Sequence, residues 1–236
     1  MSKKTYRYEL HCHTREGSRC SKIFAQDLVD FYISQGYDGI VISDHFTENN
    51  TIPKETPWRE RIETFYENGF DKARRYGEEK GLKVFFGPEW SWNRTDFLIY
   101  GLDKDWWMEQ DGFFSLSVPQ ALDRVHEGGG FVIHAHPFAE AKFIECIRLF
   151  PRHVDAVEVI NGARALEINQ RAVQYAESYG LLMTGGTDAH SDKQTNMCGI
   201  EVPYECHTIA DIIHAIRNGD AKPISETQME LLNKHE

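Results

Sequence analysis

Cysteine is scarce in this 236-residue chain, and its five copies form no recognisable framework. Cys12, Cys20, Cys146, Cys198 and Cys206 are odd in number, scattered, and include no CxxC pair. That excludes a disulfide scaffold or a zinc ribbon and predicts a reduced, cytoplasmic chain. Long apolar runs are also missing, so no segment reads as a membrane helix. Met1-Ser2-Lys3-Lys4 is followed by polar Tyr-Arg-Tyr-Glu, not by a secretory apolar stretch. Positive charge is in short supply: 26 Lys and Arg stand against 37 Asp and Glu, a formal net charge of -11. A broad basic surface for long nucleic acid is therefore excluded. A small anion held by a local basic pocket or by bound divalent ions is not. There is no internal repeat or low-complexity segment, and nothing in the pattern specifies an oligomeric state.

What remains is a chain with 41% hydrophobic residues, enough for one sizeable core. Strand-like runs fall near 5–11, 38–43, 82–87, 97–101, 130–135, 154–160 and 181–186. Helix-like periodicity separates most of them. Leu28, Phe31 and Tyr32 are closed by Gly36. Thr56-Pro57 opens a long apolar face that ends at Gly81. Ser117 starts a segment stopped by Gly128-Gly129-Gly130, and Leu166, Val173 and Ala176 precede Gly180. Thr208 and Asp211 form a capping-box pattern before Gly219. Strands alternating with helices predict an α/β fold with a parallel sheet, most simply a closed or distorted barrel. A single domain over 1–220 and a polar tail over 221–236 complete the expected layout.

Several apolar runs end in residues of metal-ligand type: Glu9-Leu10-His11-Cys12-His13, Ser43-Asp44-His45, Gly87-Pro88-Glu89, Ile133-His134-Ala135-His136-Pro137 and Thr187-Asp188-Ala189-His190. Strand C-termini converge on one face of a parallel α/β barrel, where its site lies. Residues i and i+2 on a strand share a face, so His11 and His13 can serve one ion, as can Asp188 and His190. Imidazole and carboxylate without thiolate suit Zn, Fe or Mn. A carboxylate such as Glu89 can bridge two ions, which clamp the oxygens of a phosphoryl displacement.

In this order, His11-Cys12-His13-Thr14, Asp44-His45, Glu89, His136-Pro137 and Asp188-Ala189-His190 resemble the PHP (polymerase and histidinol phosphatase) family. Its members are metal-dependent phosphoesterases on a distorted seven-stranded α/β barrel. The resemblance covers about Tyr6 to His190. It implies that His11, His13, Glu89 and Asp188 hold a first metal, that Glu89 and His136 hold a second, and that His45 and His190 hold a third. His134 is then a neighbour of the centre, not a ligand. Members often carry a histidine where this chain has Asp96, which is read as a further ligand of the second metal. They also often carry a histidine or aspartate at the positions of Ser18 and Arg19. Glu16 and Cys20 are the nearest substitutes, so the expected cofactor is two or three divalent ions. TatD-type nucleases and amidohydrolases also begin with HxH, but no strand-end lysine is present here for a carbamate bridge.

The expected substrate is a small phosphorylated molecule, with no membrane and no long nucleic acid as partner. Hydrolysis of a phosphate monoester by a metal-bridging hydroxide is the expected reaction, with Glu89, Asp188 and His190 as catalytic candidates. Arg15, Arg19, Arg94 and Arg164 are candidate phosphate contacts, because the planar guanidinium matches phosphate. His190 and His134 are side-chain candidates for the leaving-group acid. Glu158 and Asn161 are candidates to orient ligands. Trp90 and Trp92 are candidate pocket walls, whereas Trp106 and Trp107 read as packing. A diesterase acting on short nucleotides and a non-catalytic metal-binding module are the rival readings.

Overall fold

The computed structural model describes residues 4–228. Eleven strands form two mixed sheets. The first has the order β11 (Lys222–Ser225), β10 (Cys198–Val202), β1 (Tyr6–Cys12), β2 (Gly39–Ile42), β4 (Lys83–Phe86). The second runs β3 (His45–Phe46), β5 (Glu89–Trp92), β6 (Thr95–Tyr100), β7 (Phe131–Ala135), β8 (Ala156–Asn161), β9 (Leu182–Gly186). Strands β1, β2 and β4 are parallel, as are β7, β8 and β9. Strands β5, β6 and β7 are antiparallel, and β10 is antiparallel to both β1 and β11.

The expected seven-stranded barrel is thus corrected to two mixed sheets, with no closed barrel among the described residues. Two local features interrupt the β/α alternation. Asn93 and Arg94 both have positive φ, 48° and 66°, and link β5 to β6 in a tight hairpin instead of a helical crossover. After β9 the chain also returns antiparallel beside β1, as β10. The tail boundary is corrected too. Residues 222–225 pair with β10, and the rest of the expected tail, from 229 on, lies outside the described residues.

The helices are α1 (Ala25–Ser34), α2 (Trp58–Phe65), α3 (Lys72–Lys80), α4 (Lys104–Met108), α5 (Val118–Glu127), α6 (Leu166–Tyr179) and α7 (Ile209–Asn218). Thr208 caps α7 as its spacing predicts. Its hydroxyl accepts from Asp211 N at 3.2 Å, and the Asp211 carboxylate accepts from Thr208 N at 2.8 Å. A π-helical turn, Tyr66–Asp71, joins α2 to α3. Gly69 on that turn lies so close to Asp44 that an added Cβ would sit 2.0 Å from its Oδ2. Apolar side chains fill the space between the sheets (Tyr8, Leu10, Val41, Leu98, Tyr100, Ile133, Ile200) and the layers under the helices. Among the described residues no helix is long and apolar enough to cross a membrane.

The sheets meet along two seams. At one, Asp188 N donates to His11 O at 2.7 Å and His13 N to Ala189 O at 3.0 Å. At the other, Glu89 N donates to Asp44 O at 3.1 Å and Gly87 N to Ile42 O at 3.2 Å. Most of the motif residues lie on these seams, so residues far apart in sequence end side by side.

Candidate metal centre

Glu89 begins β5 and is fully buried. Its two oxygens face different histidines. Oε1 is 3.3 Å from His11 Nε2 and 3.3 Å from His136 Nε2. Oε2 is 3.7 Å from His13 Nε2 and is in contact with His45 Nδ1. Asp188 closes the other side: Oδ1 is 3.3 Å from His13 Nε2 and 3.6 Å from His11 Nε2, and Oδ2 is 3.8 Å from His136 Nε2. Asp96 Oδ2 is 4.0 Å from His136 Nδ1. Four sets of three can each gather ligand atoms within 4.8 Å of one another: His11/His13/Glu89, His11/His136/Asp188, Glu89/Asp96/His136 and His13/His45/His190. All eight sequence-predicted metal residues therefore come together.

The polar atoms of this cluster are poorly satisfied by protein. His11 Nε2, His13 Nε2, His45 Nδ1 and both oxygens of Glu89 are buried with no hydrogen-bond partner. Leaving such groups unpaired in an apolar interior is costly, and coordination removes that cost. The donor set is imidazole and carboxylate, which fits a divalent transition ion. The residues therefore fit the implied cofactor.

The other ring nitrogens are fixed from behind. His11 Nδ1 is 2.9 Å from Glu158 Oε1, and His13 Nδ1 is 3.2 Å from Ser18 Oγ. Ser18 in turn donates to Asp44 Oδ1 at 2.7 Å, so it accepts from His13. Each ring then carries its proton on Nδ1 and turns a bare Nε2 inward. Glu158 Oε2 accepts from His136 N and from Asn161 Nδ2, both at 2.9 Å, and Asn161 Nδ2 also reaches Asp188 Oδ2 at 3.3 Å. Gly186 leaves room for this arrangement: a Cβ there would lie 2.5 Å from both Glu158 Oε1 and His11 Cβ. His136 and Asp188 have positive φ, 27° and 55°, and non-glycine residues so placed concentrate at functional sites.

The electrostatics follow from burial and crowding. Burial alone would raise Glu89 and Asp188. The imidazoles of His45 and His11 around Glu89, and of His11, His13 and His136 around Asp188, hold both well below the usual carboxylate range. Burial, with the neighbouring His190 and His45, pushes His13 well below its ordinary value. Asp96 is raised, first by burial and then by the charge of Glu89.

The site opens into a cleft of about 600 Å³ lined by Arg19, Cys20, His45, Arg94, Asp96, His136, Phe143, Ile144, Arg164, Asp188 and His190, among others. Arg164 Nη2 is 3.2 Å from Asp188 Oδ2, and its Nε is buried without a partner. Arg94 stands over the Phe143 ring at 4.9 Å, and Arg19 Nη2 donates to Asn50 O. Arg15 is a correction. It is exposed, lies over the Phe24 ring at 5.4 Å, and does not line the cleft, because it leaves the loop on the side of α1. His134 is another. It is buried between Phe97, at 5.0 Å between ring centroids, and Tyr175, at 5.8 Å, and does not line the cleft. Trp90 packs on Phe97 and Phe113, and neither it nor Trp92 lines the cleft.

Sequence reasoning missed Ser18 as a partner of His13 and Glu9 as a buried organiser. Glu9 accepts from His11 N at 2.7 Å, Thr187 N at 2.8 Å and Tyr32 Oη at 2.9 Å. Burial outweighs these hydrogen bonds and raises its pKa to about 7. The signal was an acid inside an apolar strand, which must find donors.

Residues 167–221, which include Asp188 and His190 of the cluster, match a family model described as PHP-associated. Among solved structures this chain resembles a two-domain Bacteroides vulgatus protein described as containing a predicted PHP-like metal-dependent phosphoesterase. They are 17% identical over 94% of this chain and 65% of that one, with a TM-score of 0.69. PsfC of Pseudomonas syringae is 18% identical over 97% and 95% of the two chains, with a TM-score of 0.68. A lesion-specific endonuclease of Pyrococcus furiosus is 12% identical over 94% and 58%, with a TM-score of 0.59. An uncharacterized protein of Methanocaldococcus jannaschii is 40% identical over 84 residues, 32% of this chain and 35% of that one. The matches thus span about a third of the curated relative and under two thirds of the Bacteroides structure. At these identities the structural likenesses speak to the fold.

Proposed function

We propose that this chain hydrolyses a small phosphate monoester at a centre of two or three divalent ions, Zn, Fe or Mn. The observation that carries the reading is Glu89: a fully buried carboxylate with no hydrogen-bond donor on either oxygen, set between four imidazoles beside an arginine-bearing cleft. His11, His13, Glu89 and Asp188 would hold one ion, and Glu89, Asp96 and His136 a second. Bound divalent ions supply Lewis acidity, which neutralises charge on phosphoryl oxygens and lowers the pKa of the attacking water.

The protein's own groups do the rest. Glu158 and Ser18 hold the protons of His11 and His13 on Nδ1, so that Nε2 stays available. Asn161 restrains Asp188. The free Nε–H of Arg164 points to a phosphate oxygen as its partner, with Arg94 and Arg19 nearer the rim of the cleft. His190 lies at the mouth, 32% exposed, where it can pass a proton to a leaving group. Five free cysteines fit a reducing, cytoplasmic setting.

A diesterase is the second reading, favoured by the fold shared with the Pyrococcus furiosus endonuclease. The net charge of -11 weighs against long nucleic acid. The test is metal-loaded protein with p-nitrophenyl phosphate and bis(p-nitrophenyl) phosphate. Turnover of the monoester is expected. Turnover of the diester alone would transfer the assignment to the diesterase, and turnover of neither, with amides or lactones opened instead, would end it.

A further inference from the structure

Arg164 and Asp188, which meet in the cleft, are backed by a run of side-chain amides. Asn161 ends β8, fully buried, and its Nδ2 reaches Glu158 and Asp188. Its Oδ1 accepts from Ala163 N at 2.9 Å and its carbonyl from Arg164 N at 3.1 Å, which folds residues 162–164 back on the strand end. Behind it stands Asn169 of α6, 1% exposed. Asn169 Oδ1 accepts from Asn161 N and Asn169 Nδ2 donates to Asn161 O, both at 3.1 Å. One amide thus pairs with both backbone groups of Asn161, as a neighbouring strand would.

Gln228 lies beyond Asn169. Its Oε1 accepts from Asn169 Nδ2 at 2.7 Å, and its Nε2 donates to Arg164 O at 3.4 Å. Asn161 N can only donate and Asn161 O can only accept, which fixes the orientation of Asn169, and Asn169 Nδ2 then fixes that of Gln228. Gln228 is seated from the end of β11. Its N donates to Ser225 Oγ at 3.0 Å, Ser225 Oγ donates to Asn196 Oδ1 at 2.9 Å, and Asn196 Nδ2 donates to Gly162 O at 3.4 Å. The backbone of Arg164 is therefore held at both ends, its N by Asn161 and its O by Gln228. Buried amides must be hydrogen-bonded wherever they sit. These converge on one turn, and that turn carries the guanidinium whose Nε is buried without a partner.

We propose that Asn169 and Gln228 are positioning residues for Arg164, so that residues 225–228 are a working part of the phosphate site. With its backbone fixed, Arg164 meets the anion already ordered and loses less freedom on binding it. Without Gln228 that ordering must be supplied as substrate binds, which weakens binding and leaves the reacting groups in place. This role rests on the reading of Arg164 as a phosphate contact.

Gln228→Ala removes both bonds. Gln228→Glu keeps the acceptor for Asn169 and turns an oxygen, not a donor, toward Arg164 O. Both variants should raise KM for p-nitrophenyl phosphate about twofold to tenfold, with kcat little changed. In an Arg164→Ala background the same substitutions should add nothing, whereas a general loosening of the fold lowers activity in either background. A readout independent of turnover is the proton–nitrogen correlation signal of Arg164 Nε–H in the metal-free chain, identified by its loss in Arg164→Lys. Slow exchange with water is expected in the wild type and fast exchange in both Gln228 variants. Unchanged exchange overturns the positioning role, as does a KM rise that persists in the Arg164→Ala background. Faster exchange in the variants of a protein that cleaves no phosphoester would support the positioning role and overturn the proposed reaction instead.

Discussion

His134 and His136 sit two residues apart in one motif, and they live in opposite environments. His136 has Glu89, Asp188 and Asp96 around its ring. His134 has Phe97, Phe150 and Tyr175, and neither of its ring nitrogens has a partner. On a regular strand the two would share a face. They do not, because β7 ends at Ala135 and His136 takes a φ of 27°. One backbone torsion beyond the strand end separates a candidate ligand from a packing residue. What a histidine does here is decided by the charges it faces, not by its place in a motif. Carboxylates raise His136 despite its burial, whereas burial, with the charge of neighbouring His136, drives His134 down to about 3.

The strongest way to break this contrast is to remove the charge that defines the carboxylate side. Glu89→Gln keeps the shape of the side chain and removes the anionic donor that faces all four imidazoles. Activity on p-nitrophenyl phosphate should fall by orders of magnitude, with lower metal content by elemental analysis and an unchanged circular dichroism spectrum. Equal activity and metal content would mean that Glu89 is a buried acid and no ligand.

Arg164→Ala probes the cleft side of the same cluster. A charged hydrogen bond to phosphate contributes about 1.5–3 kcal/mol, which is about tenfold to more than a hundredfold in binding. The loss should appear chiefly in KM in steady-state kinetics. A loss confined to kcat would show instead that Arg164 acts by restraining Asp188.

Much of this was legible in the sequence, for a physical reason. Strand Gly39–Ile42 is buried throughout and reads as an unbroken apolar run, Ala156–Asn161 is buried throughout and is apolar except at Glu158 and Asn161, and residues of ligand type follow such runs. The capping box at Thr208 and the glycine stops gave helix limits because each encodes a local backbone need. The seams did not show. The strand Glu89-Trp90-Ser91-Trp92 is short and enters an antiparallel hairpin through Asn93-Arg94, whose positive φ values have no glycine to announce them. Strand β10 was missed because its place is set by pairing with β1 across almost the whole chain length, and β11 because it pairs in turn with β10. Register of that kind belongs to tertiary contacts, which periodicity does not encode. The residues that gather at the cluster were therefore readable while the sheets that assemble it were not.

His134→Phe sharpens the apolar side of the contrast. The folded pKa of His134, about 3, lies below its ordinary value of 6.5. The ring is neutral in the fold and protonates more readily when unfolded. Its stabilising share is thus fully present above about pH 6.5 and is lost as pH falls toward 3. At pH 5 the loss relative to pH 8 is about 2 kcal/mol. Phenylalanine removes this dependence and keeps the stacking on Phe97. Urea midpoints of the variant should therefore gain on the wild type between pH 8 and pH 5, with metal content unchanged. A constant difference would show that His134 does not titrate with unfolding.

Arg15→Ala gives the smallest expected effect and the cleanest control for the arginines. Arg15 follows the HxH motif directly, as a phosphate-gripping residue would, yet its guanidinium lies over the exposed ring of Phe24, away from the cleft. An exposed cation–π contact contributes about 0.5–1 kcal/mol. The variant should lose no more than that in denaturant stability and should keep the wild-type kcat and KM. The comparison with Arg164→Ala then separates two arginines that sequence reasoning placed in the same role. Equal rises in KM for both would mean that the loop from Arg15 to Ser21 folds over the phosphate during turnover, and would return Arg15 to the substrate site.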